Sequence, residues 1–166
     1  MASTERLLVA DTGPLLALAR VDGLVWLADC FGEILVPRVV WKEAQHHPGR
    51  ADAKALRTMI KTEPAFKLCA SAVHPSLSDF PLGAGERAAI SVALRRGAWL
   101  FLDDRAARVT ARSWDLPVIG TLGVLVMAKR RGRLSEVAPV IRRLRASGYF
   151  LGPALVRETL RVCGEV

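Results

Sequence analysis

Two short apolar runs that stop at carboxylates limit what this chain can fold into. Leu7-Leu8-Val9-Ala10 runs into Asp11-Thr12-Gly13, and Trp99-Leu100-Phe101-Leu102 runs into Asp103-Asp104. Each reads as a buried strand ending on an acid. In open α/β sheets, ligands bind at the carboxyl ends of the strands. If these two strands lie side by side, their acids meet at one edge of the sheet. Clustered carboxylates repel and are costly to bury, and a divalent cation is the usual reason to tolerate them.

The remaining pattern alternates strand-like and helix-like runs. Strands are expected at 7–10, 33–36, 66–70, 98–102 and 117–119. Helices are expected at 14–19, 24–30, 37–45, 51–61, 83–96, 105–114, 121–131, 135–147 and 153–163. Pro14 suits the first position of its helix with Thr12 or Gly13 as cap, and Ser135 suits the cap of the helix it precedes. Residues 74–82, rich in Pro and Ser, read as a loop. This alternation predicts a three-layer α/β/α sandwich with a mainly parallel central sheet. The chain of 166 residues is read as one domain over 1–166, with 133–166 as a basic helical C-terminal extension.

Charge is distributed unevenly. The net charge is +8, and residues 129–166 hold nine Lys or Arg against three Glu, a local +6. Lys129, Arg130, Arg131 and Arg133 form one cluster, and Arg142, Arg143 and Arg145 another. Such clusters suit a polyanionic partner such as RNA or DNA; a solvated, Arg-rich helical surface is the plainer reading. No apolar run reaches the ~18–20 residues needed to span a membrane, and the N-terminus lacks the features of a signal peptide. Cys30, Cys69 and Cys163 are odd in number and lack metal spacing, which points to reduced thiols in a cytoplasmic protein.

Four acids stand out from their surroundings. Asp11 could cap the following helix, but Thr12 and Gly13 can serve there and leave it free. Glu43 shares a helix face with Val39, Val40 and Ala44, where a carboxylate needs a partner, although Lys42 or Arg38 could supply one. Glu86 sits in the first turn of its helix, where the dipole favours it, yet it tops the face formed by Ile90 and Ala93. Asp103 and Asp104 are adjacent in an extended backbone, so only one of them aims at any given site. His46-His47 reads as loop. Gly120-Thr121-Leu122-Gly123 lacks the Lys and glycine spacing of a phosphate loop.

Together these residues resemble the PIN-domain family, whose pattern is met in order by Val9-Ala10-Asp11-Thr12, Glu43, Gly85-Glu86-Arg87-Ala88-Ala89-Ile90 and Leu102-Asp103-Asp104. Asp11-Thr12-Gly13-Pro14-Leu15, Leu102-Asp103-Asp104-Arg105 and Pro117-Val118-Ile119-Gly120-Thr121-Leu122-Gly123 look like a prokaryotic PIN-like subfamily described only as predicted nucleic-acid-binding. The resemblance spans roughly residues 7–150. Many members carry a Thr two residues before the last Asp. Leu102 stands there if Asp104 is the match, and Phe101 if Asp103 is; Asp104 is the preferred match. The resemblance implies an Mg2+- or Mn2+-dependent ribonuclease leaving 5′-phosphate and 3′-hydroxyl ends, often the toxin of a toxin–antitoxin pair. Asp11, Glu43, Glu86 and Asp104 would be the catalytic, metal-holding acids, with Asp103 as the alternative ligand and Thr12 and Thr121 in support. The partners implied are RNA, an antitoxin protein and a second copy of the chain. A rival reading is a non-catalytic nucleic-acid- or protein-binding module on the same fold. A phosphotransfer domain is less apt, because no Asp-x-Asp nucleophile motif is present.

Overall fold

A computed structural model describes residues 6–166; the N-terminal residues read above as free of a signal peptide lie partly outside that range. The strands are β1 (Leu7–Ala10), β2 (Glu33–Pro37), β3 (Phe66–Cys69), β4 (Trp99–Phe101) and β5 (Val118–Ile119). The helices are α1 (Thr12–Ala19), α2 (Leu24–Cys30), α3 (Arg38–Ala44), α4 (Ala51–Thr62), α5 (Ala84–Arg96), α6 (Arg105–Ser113), α7 (Thr121–Arg130), α8 (Ala138–Ala146) and α9 (Pro153–Val162). The five strands form one sheet in the order β3-β2-β1-β4-β5, and every pairing is parallel.

This order places the site. The chain steps outward from β1 through β2 to β3, then returns to pair β4 on the other side of β1. The direction of winding reverses between β1 and β4, and that crevice is where open parallel sheets bind ligands. The register aligns Val9 with both Leu35 and Leu100, and Ala10 with Phe101. Asp11 N donates to Phe101 O at 3.1 Å, extending the ladder one residue past β1. The acids that follow the two strands therefore leave the sheet at the same level.

Side chains alternate across the pleat. Leu8, Ala10, Ile34, Val36, Phe101 and Ile119 enter one core, packed with residues of α1, α2, α7, α8 and α9. Val9, Leu35, Leu100 and Leu102 enter the other, under α5 and α6. Helices thus cover both faces, as the sequence predicts. Val137, Val140, Ile141, Leu144, Leu151 and Val156 belong to the first core, so α8 and α9 are built into the domain rather than appended to it.

Several local expectations are corrected. The helix expected from Ser135 begins at Ala138, because Glu165 takes over the capping role. Its carboxylate accepts from Val137 N at 2.8 and 3.0 Å and from Ala138 N at 2.7 Å, while Lys129 Nζ closes on it at 2.5 Å. α1 begins at Thr12, so Pro14 lies two residues inside it and Asp11 takes the cap position without a side-chain cap bond. Thr12 is not the cap, because it is itself the first residue of the helix. The Pro- and Ser-rich loop contains a short 3-10 turn at Pro75–Leu77. All three cysteines are free thiols, and burial raises the proton affinity of each. Among the described residues no helix is long and apolar enough to cross a membrane.

Candidate active site

The carboxyl edge of the sheet gathers four acids around the β1–β4 crevice. Asp11 leaves β1 in extended conformation (φ −92°, ψ 163°) and is only 8% exposed. Glu43 comes from the last turn of α3, and the two ends of its carboxylate are held separately. Thr12 Oγ1 donates to Oε2 at 2.6 Å, and Gly85 N donates to Oε1 at 3.1 Å. That second bond requires α5 to approach closely. A Cβ on Gly85 would stand 2.5 Å from Glu43 Oε2 and 3.1 Å from Asp11 Oδ1, so the missing side chain leaves the room between the two acids.

Glu86 lies one residue further along α5. Its Oε2 accepts from Gly83 N at 3.0 Å, half of a capping box. Asp104 caps α6, with Oδ1 accepting from Ala107 N at 2.9 Å. Each of these carboxylates retains lone pairs for another partner. Asp11 registers the crowding: its carboxyl is pushed up to about 7, first by burial and then by the charges of Glu86, Glu43 and Asp104, with the Thr12 amide offsetting part of the rise. Groups tuned this far in a crevice mark functional sites.

Asp103 turns the other way. Thr121 donates to it twice, from its N–H at 2.8 Å and its hydroxyl at 2.5 Å, and the Tyr149 hydroxyl donates to Oδ2 as well. Burial and the Asp103 charge raise the proton affinity of the Tyr149 phenol. Gly120 fits beside them only because it lacks a side chain, since a Cβ there would meet Arg108 Nη1 at 2.5 Å and Asp103 Oδ1 at 2.6 Å. Thr121 therefore serves Asp103 and not the four-acid crevice.

The first basic cluster lies elsewhere. α7 starts at the carboxyl edge and runs back, so Lys129, Arg130, Arg131 and Arg133 stand at the opposite edge. There Arg131 Nη1 donates to Asp29 O at 2.8 Å and Arg133 Nε lies 3.8 Å from Asp29 Oδ1, just before β2 begins. Arg143 is held by Asp22 Oδ2 at 3.2 Å, while Arg142 and Arg145 are exposed. Two cations at the site's own edge are ones the sequence reading did not assign to nucleic acid. Arg38 and Arg105 open α3 and α6 on either side of Asp11, and both are exposed. Their positions as the first residues of helices that follow strands were a legible signal. Tyr149, by contrast, gave none.

The side chains of the four acids offer oxygen donors to the crevice, which suits a hard divalent cation. Among the described residues no three His, Cys, Asp or Glu side chains stand close enough to hold an ion directly. The set fits the mode in which one or two carboxylates bind Mg2+ and waters fill the other positions.

A mainly parallel α/β sandwich with acids at its switch point defines the class. Within it, the profile of the PIN-domain family matches residues 7–165, and the chain belongs to that family. PIN domains are generally nucleases that use divalent metal ions. A PilT N-terminus domain protein from the hyperthermophilic archaeon Sulfolobus solfataricus P2 has a similar fold, with TM-score 0.55 and 16% identity over 79% of this chain and 96% of that one. No curated protein matches this chain.

Proposed function

We propose that this chain is a metal-dependent endoribonuclease of the PIN type. The observation that carries the reading is Asp11, a buried carboxyl pushed up to about 7 by burial and by Glu86, Glu43 and Asp104. A fold gains nothing from gathering four acids at its switch point unless a cation or a proton relieves them. Asp11, Glu43, Glu86 and Asp104 would hold Mg2+ or Mn2+ through oxygens and waters. When bound, the ion supplies a water of lowered pKa and neutralises charge on the leaving oxygen.

The rest is the work of the chain. Thr12 and the Gly85 amide keep Glu43 aimed into the crevice. Arg38 and Arg105 flank Asp11 and bind successive phosphates, orienting the strand without reading its sequence. Lys129, Arg130, Arg131 and Arg133 lie about 15 Å away, the length of α7, and add electrostatic attraction at a distance. The substrate class is RNA, and the reading extends to a cytoplasmic toxin held by an antitoxin, for which family membership is the support. A small DNA-binding protein encoded beside this gene, whose co-expression relieves growth arrest, is the expected sign of that role.

Labelled single-stranded RNA incubated with Mg2+, Mn2+ or chelator tests the enzymatic reading. Wild type is expected to cleave only with metal, and Asp11→Asn to be inert. Equal cleavage by both proteins, or none by either, leaves a binding module on the same fold.

A further inference from the structure

Asp103 is the fifth acid at this edge, and its hydrogen bonds go to Thr121 and Tyr149 rather than to the four-acid crevice. It is joined covalently to Asp104, yet its carboxylate faces away, toward three donors: Thr121 N, Thr121 Oγ1 and Tyr149 Oη. Tyr149 reaches it from the turn between α8 and α9. Gly148, at φ +84°, ends α8, and Tyr149 N returns to Leu144 O at 3.1 Å. The neighbouring Phe150 is 84% exposed, so the turn sends one aromatic outward and the other into the domain. A phenylalanine would fill the same space but would leave Asp103 without the hydroxyl that bonds its carboxylate.

We infer that Tyr149 is a positioning residue for the acidic site, acting through Asp103 to hold the β4–α6 turn so that Asp104, and only Asp104, faces Asp11. Two adjacent carboxylates beside a buried acid could rotate into the crevice in either order, or both together. A charge that accepts three hydrogen bonds is strongly retained where it is. Fixing Asp103 thus selects the ligand and keeps a further negative charge from Asp11. It also ties the site to the C-terminal helices, through the turn that carries Tyr149.

The inference rests on the nuclease reading, so its test has arms that separate the two. Tyr149→Phe and Asp103→Asn are compared with wild type in three measurements. In metal-free protein, amide exchange at Ala107, the proton that Asp104 holds, is expected to quicken several-fold in Tyr149→Phe. With RNA and Mn2+, kcat is expected to fall about 10-fold and the Mn2+ concentration for half-maximal rate to rise by a similar factor. KM for RNA stays unchanged. Asp103→Asn keeps one acceptor oxygen and is expected to lose less, and the double variant is expected to be no worse than Tyr149→Phe, because the two residues act as one unit. Wild-type cleavage with an unaltered Tyr149→Phe overturns this inference alone. A variant that merely loses melting temperature, with kcat and Ala107 exchange intact, also overturns it by marking a structural bond. An inert wild type that binds no Mn2+ overturns both readings.

Discussion

Asp11 is the residue whose chemistry can be read without any substrate. Its folded-state pKa of about 7 lies above the 3.8 of a free carboxyl, mainly through burial. The folded form therefore keeps its proton over a range where the unfolded form has lost it. This favours folding below pH 3.8, erodes as pH rises and is gone above 7, where the charge must be carried uncompensated. Asp11→Asn is expected to melt roughly 5–10 °C above wild type at pH 8 in chelator and to match it at pH 3.5. Thermal unfolding across pH measures the difference, and a variant less stable at pH 8 would mark Asp11 as a structural cap. Millimolar Mg2+ is expected to raise the wild-type midpoint at pH 8 and leave the variant where it was. Gly85 gives a second residue-scale prediction. Gly85→Ala puts a methyl 2.5 Å from Glu43 Oε2, so cleavage should fall at least 10-fold. Circular dichroism should report an unchanged fold.

At the scale of elements, the C-terminus closes the molecule. Glu165 bridges Lys129 at the end of α7 and the first amides of α8. Burial opposes its charge, but the Lys129 ammonium and the Val137 and Ala138 amides outweigh that and lower its carboxyl to about 2. A depressed acid stabilises the fold fully above its ordinary value of 4.5. That contribution fades as pH drops toward 2. Glu165→Gln is expected to lower the melting temperature at pH 7 by about 2–4 °C, the cost of a lost cap, and by nothing at pH 2. The same bond explains why the sequence misplaced this helix. Ser135 carries a local capping signal, whereas Glu165 caps from 28 residues away. β1 and β4 were legible because their apolar runs end on acids at Asp11 and Asp103. The helix periods put Glu43 and Glu86 on inward faces for the same local reason. What holds Glu43 was not legible: Thr12 and Gly85 are 31 and 42 residues distant. The orientation of the Asp103–Asp104 pair depends on Tyr149, 46 residues on. Spacing could state that one acid faces the crevice but could not choose it.

Over the whole molecule, the Lys129–Arg133 cluster and the four acids stand at opposite edges of the sheet. The net +8 attracts RNA from any side, and part of the local +6 after residue 128 is already committed. Arg131 and Arg133 hold Asp29, Arg143 holds Asp22, and Lys129 holds Glu165. Among the described residues, Arg130, Arg142 and Arg145 are the exposed members of these clusters without such a bond. The two basic surfaces should therefore fail differently. Replacing Arg130, Arg142 and Arg145 by Gln is expected to weaken RNA binding for every sequence alike. The slope of log affinity against log salt should shrink by about 2, the counterions of three phosphates on a single strand. Cleavage of RNA already bound should keep its rate. Replacing Arg38 and Arg105 by Gln is expected to remove a smaller share of the salt dependence and to slow single-turnover cleavage at saturating RNA, because these two set where the phosphate lies against Asp11. Titrations at several salt concentrations, paired with single-turnover rates, separate the outcomes. If the triple variant slows bound-state cleavage while the Arg38 and Arg105 pair leaves it intact, RNA does not cross the crevice between Arg38 and Arg105.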